Sequence, residues 1–231
     1  MAPEVPTRGD SPGRPETFLF ADLAGFTALT EAHGDRRAAG VAEQFCHRVR
    51  AGAARVGAEV VKTIGDAVLI HDRRADRAIE LGMEILEEEE GLEDSPEVRI
   101  GIHTGSAVRS GGDWYGAAVN VAARVVAVAA AGEVVLTDAA AVAAGRLEHV
   151  ELERLGTREL RNVGEPVLLL RASRPGPHRG AAIVDPVCRM TVAEGEWIGI
   201  LSYGGRTFHF CSMECARRFS NDPERYAGVS G

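Results

Sequence analysis

Two short apolar stretches of β character, each carrying an aspartate at or near its end, constrain this chain most: FLFAD, ending at Asp22, and VVKTIGDAVLI, with Asp66 after a Gly. Strand-forming residues on both sides of Thr-Ile-Gly predict a tight hairpin in which Lys62 and Asp66 project from opposite arms. Two carboxylates delivered from neighbouring strand ends can hold a pair of hard divalent cations, the arrangement that activates an oxygen nucleophile and clamps a polyphosphate. Aspartates also form turns and cap helices, so the pair alone assigns no function. A third segment, GGDWYGAAVNVAARV, adds Asn120 and Arg124, four residues apart and so on one face of a helix.

The rest of the chain sets the frame around these residues. At 231 residues, with 45% hydrophobic residues, it suits one medium globular domain and a smaller module. A net charge of −8 makes it a poor general nucleic-acid binder. Residues 1–15 are polar and proline-rich with no apolar run, which predicts a disordered arm and not a signal peptide. No window supplies the roughly 20 apolar residues of a membrane span; the longest Ala/Val-rich run is broken by Asn120 and Arg124. We therefore expect a soluble cytoplasmic protein that engages neither membrane nor nucleic acid.

Periodicity predicts an α/β domain in the order βααββαββαβ. TFLFAD is the first strand, two helices meet near Gly34, AEVVKTI and DAVLIHD make the hairpin, and RADRAIELGMEILEEEE is a helix. EVRIGIHTG and AVRS then form a second strand pair ahead of the Asn120/Arg124 helix, followed by the strand EVVLTD, another helix and closing strands. The EEEE run reads as a solvated helix end, Cys46 as core filler, and His103 as a satisfied strand histidine.

Taken together, the three motifs resemble, in order and internal spacing, the class III nucleotidyl cyclase catalytic domain over residues 16–172. The resemblance implies a ferredoxin-like fold with a mixed, mainly antiparallel sheet and flanking helices. It implies that Asp22 and Asp66 bind two Mg²⁺ or Mn²⁺ ions per site, and that Lys62 and Asp113 read the adenine of ATP. It further makes Asn120 the residue that orients the ribose and Arg124 the one that stabilises the transition-state phosphorus. LGTRELRNVGEPVLLLRA resembles the family's closing hairpin, with Arg161 where a lysine usually contacts the triphosphate; arginine keeps the charge and can grip phosphate bidentately. In the family the two groups of one site come from different subunits, which implies a head-to-tail homodimer with two equivalent sites. The implied activity is adenylate cyclase, making cyclic AMP and pyrophosphate.

Beyond a linker at 173–182, ASRPGPHRGAA in character, lies a second module carrying Cys188, Cys211 and Cys215. In a cytosolic chain such clustering argues for a metal site over disulfides. Strand alternation puts His209 on the face of Cys211, and the Cys-x-x-x-Cys spacing suits a helix start, where thiolates favour Zn²⁺ or Cu⁺. His209, Asp185 or solvent are the open choices for a fourth ligand. With Asp185-Pro186, Met190, Tyr203, Phe-Cys-Ser, Pro223 and Tyr226, residues 183–228 resemble the YHS domain, a metal-linked module. Metal occupancy or thiol redox state there could regulate the cyclase. Two alternatives stand beside the cyclase reading: a catalytically silent dimerising or nucleotide-sensing scaffold, and a metal sensor or chaperone.

Overall fold

The computed structural model describes residues 14–90, 92–176 and 183–228. The expected N-terminal arm, save its last two residues, and residues 177–182 of the expected linker lie outside them. The chain runs β1 (Glu16–Leu23), α1 (Phe26–His33), α2 (Asp35–Val56), β2 (Glu59–Ile64), β3 (Ala67–Asp72), α3 (Ala75–Glu90) and β4 (Val98–Gly105). It continues through β5 (Val108–Ser110), β6 (Asp113–Tyr115), α4 (Ala117–Val128), β7 (Val134–Thr137), α5 (Asp138–Ala144), β8 (Glu151–Arg158) and β9 (Val167–Ser173). The last module holds β10 (Ile183–Val184), β11 (Thr191–Val192), β12 (Gly199–Tyr203), β13 (Arg206–Phe210), α6 (Met213–Asn221) and α7 (Pro223–Ala227).

Seven strands form one sheet in the order β2-β3-β1-β4-β7-β9-β8, antiparallel except for the β4–β7 pair. This is the mixed, mainly antiparallel sheet with flanking helices that the sequence led us to expect. Alternation along β1 divides two cores: Leu19, Ala21 and Leu23 pack with α2 and α3, whereas Phe18 and Phe20 pack with Trp114 and α4. Glycine sets how closely α4 lies on the sheet. A Cβ at Gly101 of β4 would come within 2.2 Å of the Val126 nitrogen, so only a bare backbone admits the helix there. That contact fixes the helix bearing Asn120 and Arg124.

Three expectations are corrected. β5 does not pair with β4; it forms a separate hairpin with β6, an unanticipated strand that places Asp113 at its start. Asp66 sits in the two-residue Gly65-Asp66 turn between β2 and β3 and not on the second arm; Gly65, at φ 63°, takes the left-handed backbone the turn needs. The EEEE run is not merely solvated. Glu89 is buried and receives Arg48 Nε and Nη2 at 2.7 Å each, with Ser95 Oγ at 3.0 Å, while Glu88 pairs with Arg55 and Glu87 with Arg174. Arg48→Met should strand the Glu89 carboxylate. We expect a loss of about 2 kcal/mol, below the full cost of an unpaired buried charge because Ser95 remains, read as a lower denaturant midpoint at unchanged slope.

Two other expectations hold. Cys46 is buried and free. His103 Nδ1 lies 2.8 Å from Thr137 Oγ1, and burial pulls its pKa down to about 4, so the ring is a neutral strand histidine. No helix among the described residues is long and apolar enough to cross a membrane.

Candidate active site and thiol cluster

The β1–β3 register places Asp22 opposite Ala67, and so beside the turn that carries Asp66. The two carboxylates face each other closely enough that burial, then the charge of Asp22, push Asp66 up to about 6. Asp22 is also engaged by Arg99, its cross-strand partner on β4, whose Nε and Nη2 lie 2.8 and 2.6 Å from Asp22 Oδ2. A carboxylate pair that tends to retain a proton is a site where a cation would relieve repulsion, and its hard oxygen donors suit Mg²⁺ or Mn²⁺. The residues present therefore fit the family's metals. Arg99 was not singled out from sequence; its place directly across a strand from Asp22 depends on register, which no local motif reveals.

Lys62 Nζ meets Asp113 Oδ2 at 2.5 Å, and the Trp114 amide donates to Asp113 Oδ1 at 2.8 Å. Lys62, followed by these contacts, holds the Asp113 carboxyl below its usual range. A bulge in β2 between Val60 and Lys62 sets Lys62 opposite Leu69. The hairpin that carries Asp113 then meets β2, so a donor and an acceptor are presented side by side.

Asn120 is exposed near the start of α4, and Arg124 is half-buried one turn on. Arg161 is exposed in the β8–β9 connection, ahead of Asn162 at φ 61°. Among the described residues, no side-chain hydrogen bond or ion pair engages Asn120, Arg124 or Arg161. Nor does one join Asp22 and Asp66 to the Lys62–Asp113 pair. Within one chain Asp22 engages Arg99, Lys62 engages Asp113, and Asn120, Arg124 and Arg161 are uncommitted among the described residues.

The mixed, mainly antiparallel sheet with its flanking helices agrees with comparison to known proteins. The model of the adenylate and guanylate cyclase catalytic domain matches residues 13–169, well over half the chain. The chain belongs to that family. A YHS domain follows at residues 183–229. Among curated relatives of this cyclase-family chain, the pH-sensitive adenylate cyclase MT1302 of Mycobacterium tuberculosis is 33% identical over 177 residues, covering 73% of this chain and 43% of the relative. A receptor-type adenylate cyclase of Trypanosoma congolense is 32% identical, covering 66% of this chain and 27% of the relative. The chain thus spans less than half the length of these curated relatives. Among solved structures, a Trypanosoma brucei adenylate cyclase in its monomeric state superposes with a TM-score of 0.64 at 23% identity, covering 75% of this chain and 94% of that one. An adenylate/guanylate cyclase/hydrolase from Silicibacter pomeroyi gives 0.59 at 28% identity, covering 71% and 98%.

In the YHS domain the three cysteines come together as the spacing predicted. Cys188 Sγ lies 3.4 Å and Cys215 Sγ 4.0 Å from Cys211 Sγ, and all three are free thiols. Hydrogen bonds from Cys188 and Cys211 hold Cys215 below the usual thiol range, and Cys188 is pushed up in exchange. His209 is not among them: its ring packs on Trp197 at 4.6 Å between centroids. Asp185, fully buried, borders the thiols but is not one of the four clustered donors; it accepts the amides of Val187 at 2.8 Å, Cys188 at 3.3 Å and Cys211 at 2.9 Å. The imidazole in the cluster is His33, from the end of α1.

Proposed function

We propose that this chain is an adenylate cyclase, converting ATP to 3′,5′-cyclic AMP and pyrophosphate at composite sites shared by two copies arranged head to tail. The Lys62–Asp113 contact carries the base assignment. Lys62 supplies a donor to a ring nitrogen of adenine, and Asp113 an acceptor for the exocyclic amine; guanine presents the opposite pattern at that edge. Asp22 and Asp66 would hold two Mg²⁺ or Mn²⁺ ions. Such ions lower the pKa of an attacking ribose 3′-hydroxyl and neutralise departing phosphates.

The chain's own side chains do the rest. Asn120 orients the ribose, so that its 3′-oxygen faces the α-phosphate. Arg124 meets negative charge that develops on the phosphorus only as the transition state forms, which raises the rate more than it tightens substrate binding. Arg161 grips the triphosphate. In this reading each site takes its carboxylates from one copy and its Lys62, Asp113, Asn120 and Arg124 from the other, as the family resemblance implies.

Arg99 favours one other reading, a nucleotide-sensing scaffold, because it already neutralises Asp22. Incubating the full-length protein with Mn²⁺ and either ATP or GTP distinguishes these. We expect cyclic AMP from ATP and little cyclic GMP from GTP. Preference for GTP would overturn the role of Lys62 and Asp113, and no product from either nucleotide would favour the scaffold.

A further inference from the structure

The thiol cluster does not belong to the YHS domain alone. His33 is the last residue of α1, the helix that begins just after Asp22-Leu23-Ala24-Gly25. Its Nε2 lies 3.4 Å from Cys211 Sγ and 3.8 Å from Cys215 Sγ, and the four donor atoms of His33, Cys188, Cys211 and Cys215 all fall within 4.8 Å of one another. Tetrahedral zinc with its usual bond lengths requires sulfur–sulfur edges of about 3.8 Å and sulfur–nitrogen edges of about 3.5 Å. The observed sulfur–sulfur edges of 3.4 and 4.0 Å and sulfur–nitrogen edges of 3.4 and 3.8 Å bracket both values.

The donors are held from behind. Asp185 ties the Cys188 and Cys211 segments together through their amides, and Ser212 caps α6 by accepting the Cys215 amide at 3.1 Å. Such outer contacts fix ligand orientation in metal sites. On the other side, α1 and the start of α2 are pressed against the module: Leu29 of α1 and Ala38 of α2 share a core with Val187, Met190, Phe210 and Phe219. Arg218 of α6 reaches the Glu31 carboxylate at 2.7 Å and its carbonyl at 3.1 Å. His33 is therefore delivered by a docked helix.

We propose that His33, Cys188, Cys211 and Cys215 form a three-thiolate, one-imidazole site for a tetrahedral divalent cation of the zinc type, and that this ion clasps the YHS domain to the cyclase domain. Four closed positions leave no place for water, which marks a structural site. Cu⁺, which the cysteines alone would suit, is less favoured once an imidazole completes the tetrahedron. The ion pins the far end of the helix whose near end follows Asp22. It thereby joins the carboxylate strand and the C-terminal module through one rigid element.

The test is zinc stoichiometry and affinity of the full-length protein, with Co²⁺ substitution as a spectroscopic probe. We expect one zinc per chain and a tetrahedral, thiolate-rich Co²⁺ spectrum. Removing even an outer contact of a metal site typically costs 10- to 100-fold in affinity, so His33→Ala should lose about a hundredfold or more. His33→Cys should retain the metal with a four-thiolate spectrum, and His209→Ala should leave affinity unchanged. Chelation should raise amide exchange in residues 26–33 as well as in α6. A wild type without zinc, an unchanged affinity in His33→Ala, loss in His209→Ala, or exchange confined to the YHS domain would each overturn the proposal. None of these readouts uses turnover, so the outcome is independent of the cyclase reading.

Discussion

Replacing Arg124 with alanine should lower turnover by on the order of 10³ or more, the typical contribution of an arginine supplied to phosphoryl transfer. KM and the unfolding midpoint should move little. The reasons lie in its surroundings: the side chain is half-buried on α4 but has no acidic partner among the described residues, so its loss strands no carboxylate. The packing of the helix rests on other positions, Val121, Ala122, Val125 and Val126. A group that acts only on charge formed in the transition state takes kcat down without a matching rise in KM. Arg124→Lys should recover part of the rate, because an ammonium restores charge but not the bidentate fork. Equal losses of rate and stability would assign the arginine to structure instead.

Much of the fold was legible because its elements announce themselves locally. The apolar run of β1, the stripe along α3 and the presence of a glycine-containing hairpin between β2 and β3 each satisfy one period or one turn chemistry, although the turn falls one residue later than Thr-Ile-Gly. β6 was missed for the converse reason: Asp113–Tyr115 is three residues long, too short to show alternation, and becomes a strand only because β5 pairs with it. Glu89 was misread although a signal existed. It falls on the helical stripe of Leu81, Ile85 and Leu86, so its position was that of a core residue. What no pattern shows is Arg48, which neutralises it from another helix.

The candidate active site followed the same division. Asn120 with Arg124, and the cysteines of the tail, sit at fixed spacings that a helix or a helix start turns into neighbours. Lys62 and Asp113 were paired through family resemblance, and the structure brings them into contact. His33 could not be found this way, since it stands 178 residues from Cys211 and reaches it only through the docking of α1 on the YHS domain. His209 had the better sequence argument, adjacency to Cys211 on one strand face, but its ring is taken up by Trp197.

The proposed sharing of each site between two chains makes the second large effect one of recovery. Asp66→Asn removes a carboxylate and spares Arg124; Arg124→Ala does the reverse, so each protein alone should be nearly inert. If every site takes its carboxylates from one chain and its arginine from the other, a mixed dimer has one intact site and one doubly damaged site. Random pairing of equal amounts makes half of the dimers mixed, each with one working site of two, so activity should return to roughly a quarter of wild type. Relative to either variant alone, that is a rise of on the order of a hundredfold, given the loss expected for the arginine. The measurement we would make first is therefore cyclic AMP formation from ATP by Asp66→Asn and Arg124→Ala chains co-expressed in equal amounts. Recovery to about a quarter of the wild-type rate is the predicted result; a sample no more active than the two variants assayed apart would contradict a site shared between chains.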